Sequence, residues 1–194
     1  FIYPSSGAIY LNGKDYACMN REEIAKYIVM VPQTVSLFND TIRNNLLVAN
    51  PFASDEQLWQ VLHEVSLDNH IQKMSDGLDT MVSEFGSNLS GGQKQMMGIA
   101  RALLTDAEYI IFDEATSAVD PESEKIIWDC IDKLSKKRTL IIISHRLSAI
   151  RNADQIIVLR AGAVEEIGNH DELMKNHGLY RDLVEEQNKL EVQA

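Results

Sequence analysis

At 194 residues the chain is long enough for one full hydrophobic core with a small subdomain and too short for two typical domains. Apolar residues at 45% and charged residues at 24% suit a globular protein, and 18 Lys plus Arg against 29 Asp plus Glu leave a formal net charge of −11, which argues against nucleic acid as a partner. No apolar stretch approaches the roughly 18 residues of a membrane helix, and Cys18 and Cys130 fit neither a metal-ligand spacing nor a disulfide framework, which favours a reducing compartment.

Taken in order, Phe1-Ile-Tyr3 stands without a polar leader and reads as the end of a helix whose start is absent. Ala8–Leu11 and the Asn12-Gly13 pair predict a short strand and turn, with Ile9 and Leu11 on one face. Gly7 to Lys14 is not a phosphate loop: five residues instead of four separate its glycines, Asp15 stands where Ser or Thr should hold magnesium, and no strand precedes it. Arg21–Lys26 reads as a short helix and Tyr27–Val31 as a buried strand, followed by Pro32-Gln33. An amide in that place can reach a metal ion or a water, although a lone Gln at a strand end is usually just solvated. Asp40 is the expected cap of a helix over Thr41–Leu47, and Ser54 of another over Asp55–Val65. With Ile71–Met74 and the segment around Thr80 they make a helical block over about residues 39–88. Phe38 reads as half-buried core beside Val35 and Leu37.

The stretch from Leu89 to Asp120 carries the chemistry. Ser90 followed by Gln93 has the form of a capping box, and Gly91 and Gly92 between them leave backbone N–H groups open at a helix N-terminus, an anion site. The helix running on to Leu104 has Met96, Met97, Ile99, Ala100, Leu103 and Leu104 as its apolar stripe, and its methionines read as core. Tyr109–Phe112 is then an apolar strand ending on Asp113 and Glu114, at the carboxyl edge where open α/β sheets bind their ligands; such a pair suits metal and acid-base work. Each half alone is common in ordinary proteins.

Beyond Ser117-Ala-Val-Asp120, Pro121 with Glu122 and Glu124 starts a helix that buries Ile126, Ile127, Ile131 and Leu134. Thr139–Ser144 is the strongest strand signal, near-continuous and therefore expected to be covered on both faces, and it ends at His145. A histidine there is more often structural than catalytic, yet parallel neighbours would set His145 and Glu114 on one edge of the sheet. His63, His70, His170 and His177 show no such placement. Gln155–Leu159 and Ala163–Ile167 read as strands around Ala161-Gly162, with helices over Gly168–Met174 and Tyr180–Gln187.

Leu89-Ser-Gly-Gly-Gln93, Tyr109–Glu114 and Ser117–Asp120 together resemble the signature motif, Walker B motif and D-loop of the ATP-binding cassette family. Val31-Pro-Gln33 is similar to its Q-loop, Ser144-His145-Arg146 to its switch histidine, and Val82–Gly86 to the exporter X-loop, with Ser83-Glu84-Phe85-Gly86 in place of the common Gly-Glu-Arg-Gly. The resemblance runs from Phe1 to about Gln187. It implies an α/β, P-loop NTPase-like domain with a mainly parallel sheet flanked by helices, a helical subdomain at about 39–88 and a small antiparallel part. It further implies ATP as substrate with Mg²⁺, a Mg²⁺ contact from Asp113 and Gln33, catalytic roles for Glu114, His145 and Gln33, and nucleotide contacts from Ser90, Gly91, Gly92, Gln93 and Asp120. The partners implied are a second, head-to-tail nucleotide-binding domain and the transmembrane domains of an exporter, met near Phe38 and Glu84, with the chain on the cytoplasmic side of the membrane.

The family's Gly-x-x-x-x-Gly-Lys-Ser/Thr loop is absent from the chain. The resemblance places that loop and its strand directly before Phe1, so a single partial domain, truncated there and binding ATP weakly by itself, is the expectation. Two alternatives stand beside an exporter motor: a non-transport cassette ATPase acting on chromosomes or ribosomes, and a silent module donating only its signature. The acidic balance and the Ser144-His-Arg-Leu segment count against the first, and the intact Glu114 and His145 against the second.

Overall fold

The computed structural model describes residues 4–117 and 119–192. The expected helix end at Phe1–Tyr3, and Ala118 of the Ser117–Asp120 stretch, lie outside them. Asn12 and Gly13 both adopt positive φ, 48° and 79°, as a type I′ turn requires, and join β1 (Tyr10–Leu11) to β2 (Lys14–Asp15) as an antiparallel hairpin. Leu11 is buried, whereas Ile9 is about half exposed.

Residues Phe1–Ile143 and Ser144–Ala194 form two compact units. In the first, α1 (Arg21–Tyr27), capped by a reciprocal Asn20–Glu23 box, leads into β3 (Ile28–Val31). β3, β4 (Tyr109–Asp113) and β5 (Thr139–Ile143) make a parallel sheet in chain order, with Val31 beside Phe112 and Asp113 beside Ile143. Between β3 and β4 run α2 (Ile42–Leu47), α3 (Asp55–Glu64), α4 (Asp68–Gln72) and α5 (Gly91–Leu103). α6 (Pro121–Ser135), with Pro121 at its first position, crosses from β4 to β5.

One face of the sheet is core: Val31, Ile110 and Phe112 are buried with Met97 and Ile99 of α5 and Ile127 and Ile131 of α6, and Val29, Leu140 and Ile142 pack against them. The other face is more open, with Met30, Ile141 and Ile143 each about half exposed. The expectation that β5 is covered on both faces, and β3 buried throughout, is thus corrected. An isoleucine at every position from 141 to 143 cannot reveal which face has a cover, and the residues packed against this sheet's core fill only one. Among the described residues no helix is long and apolar enough to cross a membrane.

Two boundaries also shift. Thr41, not Asp40, caps α2, its side chain accepting from the Asn44 N–H at 3.0 Å, while Asp40 takes the Thr41 N–H and the Asn44 amide. The helix expected at Ile71–Met74 lies earlier, as α4. Arg43 pairs with Asp55 and Asp79, tying α2 to α3 and to the 3-10 turn Gly77–Asp79. Burial pushes the thiol of Cys130, on the inner face of α6, up to about 11, as befits a core cysteine.

The second unit contains α7 (Leu147–Ile150), the antiparallel pair β6 (Ile156–Arg160) and β7 (Ala163–Gly168), α8 (His170–Lys175) and α9 (Leu179–Val192). Ala161 and Gly162 supply positive φ at the β6–β7 turn. Ile156, Val158, Leu173 and Tyr180 are its small core. α9 runs past the expected end at Gln187.

The polar hub of the first unit is Asn45, fully buried on α2. Its Nδ2 donates to the carbonyls of Phe38, Asp40 and Thr41 at 2.9–3.3 Å, and its Oδ1 accepts from Phe38 N–H at 2.9 Å and Arg101 Nη2 at 2.7 Å. Asn45→Ala orphans these partners in a water-excluded site and is expected to remove about 3 kcal/mol of stability in chemical denaturation. The exposed neighbour substitution Asn44→Ala should change it by less than about 1 kcal/mol.

Candidate functional site

At the carboxyl edge of the sheet the chain leaves β3 through Pro32-Gln33 and β4 through Asp113-Glu114. Gln33 Nε2 donates to Glu114 Oε2 at 3.3 Å and to Ser117 Oγ at 3.0 Å, closing a contact over 81 residues of sequence. Ser117 passes the chain of bonds on, its Oγ donating to the Glu114 carbonyl at 2.9 Å. Glu114 N–H donates to Ile143 O at 2.9 Å, which extends the β4–β5 ladder by one bond, and Glu114 itself stands at φ 48° in the left-handed region. A bulky L-residue held there is strained, and such strain concentrates at functional positions.

α5 approaches the same edge from the core. Its first turn is closed by the expected capping box: Gln93 N–H donates to Ser90 Oγ at 3.2 Å, and Ser90 N–H to Gln93 Oε1 at 2.9 Å. The N–H groups of Gly91 and Gly92, at the first two helical positions, have no backbone acceptor within the helix. One turn on, the buried Gln95 donates to Pro32 O at 3.0 Å and so holds the residue before Gln33.

Gly92 is a glycine for a steric reason. A Cβ there would lie 2.4 Å from Ser123 Cβ and 2.2 Å from its Oγ, so the N-terminus of α5 presses on that of α6. Asp120 caps α6 by accepting the Ser123 N–H at 3.0 Å, and that bond holds its carboxyl below the usual carboxylate range. Two groups of expected residues are therefore brought together: Gln33 with Glu114, and Gly92 with Asp120. His145 belongs to the second unit and is exposed.

Phe38, 57% exposed, has its ring 5.6 Å from the Arg101 guanidinium of α5. Arg101 donates to Asn45 O and Ser36 O, each at 2.7 Å, and burial draws its pKa down because no carboxylate is among these partners. Glu84 is exposed on the turn Glu84–Gly86. Gln95, Asn45, Arg101 and Ser123 support these residues without a role foreseen from the sequence, and Ser117, foreseen only as the start of the D-loop resemblance, bonds Gln33. For Gln95, Asn45 and Arg101 a signal existed: each is a polar residue among the buried positions of its helix.

The ABC transporter family model matches residues 1–117. Over 184 residues and 95% of its length the chain is 43% identical to P-glycoprotein 14 of Caenorhabditis elegans, spanning 14% of that protein. It is 46% identical over 184 residues, 94% of its length, to an ATP-dependent lipid A-core flippase of Vibrio vulnificus, of which it spans 32%. The solved structure of a bacterial Atm1-family ABC exporter with ATP bound superposes with a TM-score of 0.88 at 36% identity, over 95% of this chain and 33% of that one. The chain thus spans a third or less of the length of each of these relatives.

Gly92→Ala is expected to force α5 and α6 apart and to cost about 1–3 kcal/mol of stability. Adding Ser123→Gly removes the opposing Cβ and should recover part of that loss in thermal melts. A double variant no more stable than Gly92→Ala alone would locate the constraint elsewhere.

Proposed function

Because the chain belongs to the ABC transporter family, we propose that it is part of the ATP-binding and ATP-hydrolysing motor of an exporter, working on the cytoplasmic side of a membrane through transmembrane domains. The observation that carries this reading is the hydrogen-bonded group of Gln33, Glu114 and Ser117 at the edge of a parallel sheet. A solved relative named as an ABC exporter and a relative named as an ATP-dependent flippase support it.

Glu114 is the group that orients and polarises the water attacking the γ-phosphate, and Gln33, bonded to it, sets where its carboxylate points. His145 contacts the γ-phosphate. Ser90, Gly91, Gly92 and Gln93 present the N-terminus of α5 to the nucleotide of a facing subunit, with Asp120 beside them, so a complete site takes residues from two copies or two homologous domains. Phe38, with Glu84, faces the transmembrane partner.

The donor set fits Mg²⁺. Asp113, with the amide oxygen of Gln33, offers hard oxygen ligands, and among the described residues no three His, Cys, Asp or Glu converge as a cage. A chain that supplies one or two oxygens suits an ion held largely by substrate phosphates and water. When bound with ATP, such an ion neutralises charge on the β- and γ-phosphates.

In the full-length protein, Glu114→Gln is expected to retain ATP binding, to accumulate the closed nucleotide-bound dimer, and to lower steady-state hydrolysis by at least about 100-fold. Hydrolysis at the wild-type rate would remove Glu114 from the role of base.

A further inference from the structure

One side chain outside the arrangement above touches the signature turn: His70. It lies on α4, and its Nε2 is 3.1 Å from Gln93 Nε2. The far end of the Gln93 amide decides the chemistry of this contact. Gln93 Oε1 already accepts the Ser90 N–H at 2.9 Å, so the atom facing the ring is the NH₂ group, which can only donate. The imidazole must then offer a lone pair at Nε2, which is the neutral form with its proton on Nδ1. Turning the amide over would give His70 an oxygen to bond, but would set an NH₂ against the Ser90 N–H and open the capping box.

We propose that His70 is a positioning residue for the signature turn: by accepting from Gln93 it locks the amide in the orientation that closes the Ser90–Gln93 box. Through that box it holds the first turn of α5, with Gly91 and Gly92, in the geometry an incoming phosphate requires. The phosphate being that of a nucleotide rests on the functional reading above; the link from His70 to the turn does not. The pair is exposed, so its contribution to global stability is small. Its effect falls on a local geometry that a bound anion reads directly.

The test compares wild type, His70→Ala, His70→Gln, Gln93→Ala and the His70→Ala/Gln93→Ala double variant in the full-length protein. A glutamine at 70 can place an amide oxygen near the position of imidazole Nε2, whereas alanine has no acceptor. His70→Ala should raise the KM for ATP about three- to tenfold with kcat within about twofold, and His70→Gln should bring it back toward wild type. The double variant should match Gln93→Ala, because His70 acts through that residue alone. Hydrogen exchange of the amides of residues 90–94 gives a readout independent of ATP, faster in His70→Ala and restored in His70→Gln. Wild-type exchange in His70→Ala, no rescue by His70→Gln, or additive effects in the double variant would overturn the assignment. Should His70→Ala fail to fold, His70→Leu takes its place as the bulky variant without an acceptor. Absence of ATP hydrolysis in wild type sinks the functional reading, and the exchange comparison still decides the role of His70.

Discussion

Parallel pairing of β3 with β4 is the constraint on which the rest of the first unit depends. Val31 beside Phe112 sets Pro32-Gln33 and Asp113-Glu114 leaving the sheet at one edge, where the glutamine and glutamate meet. Sliding β3 by one residue would turn Met30 into the core and Val31 out of it, and would carry Gln33 away from Glu114. What opposes such a slip is hydrophobic: Val31, Ile110 and Phe112 are buried on one face, each worth about 1.5–3 kcal/mol of transfer free energy. Packing of the core and the meeting of Gln33 with Glu114 are therefore a single requirement.

α5 then serves as the joint of the unit. Gln95 grips Pro32 O and Arg101 grips Ser36 O, so the segment leaving β3 is held at two points by one helix. Arg101 is a half-buried cation whose hydrogen-bond partners are carbonyl and amide oxygens, with the Phe38 ring alongside. Neutral dipoles stabilise a guanidinium less than a carboxylate would, which is why burial depresses its pKa. In return, the segment that presents Phe38 to solvent is anchored from beneath. The signature turn, the loop after β3 and the exposed Phe38 are thus attached to one rigid element.

Local chemistry made much of this readable in the sequence. Ser90-x-x-Gln93 and Ser54-x-x-Gln57 form the reciprocal boxes their spacing implies, Asn12-Gly13 and Ala161-Gly162 turn as hairpins, and the apolar run from Tyr109 ends on its carboxylates at a strand edge. What escaped depends on partners distant in sequence. The run Ile141-Ile-Ile143 carries no trace of which face is covered, since that depends on where α5 and α6 pack. Thr41 and Asp40 are both competent caps, and only the path of the chain chooses between them. Ser117 and His70 look like surface polar residues until folding brings Gln33 and Gln93 to them. The strand-end carboxylates Asp113 and Glu114 suggested metal and acid-base work by their chemistry alone, whereas the roles expected of His145 and Asp120 came from motif resemblance.

Glu114 sits with φ 48° at the end of β4, a conformation that disfavours every L-residue and least of all asparagine or glycine. Selection for thermal robustness or soluble yield alone would therefore drift toward a residue without the carboxylate, gaining on the order of 1 kcal/mol while discarding the group to which the role of base is proposed. A library of this protein screened only for folding would therefore enrich asparagine or glycine at this position, and the group bonded to Gln33 would be lost from the sheet edge without any penalty in the screen.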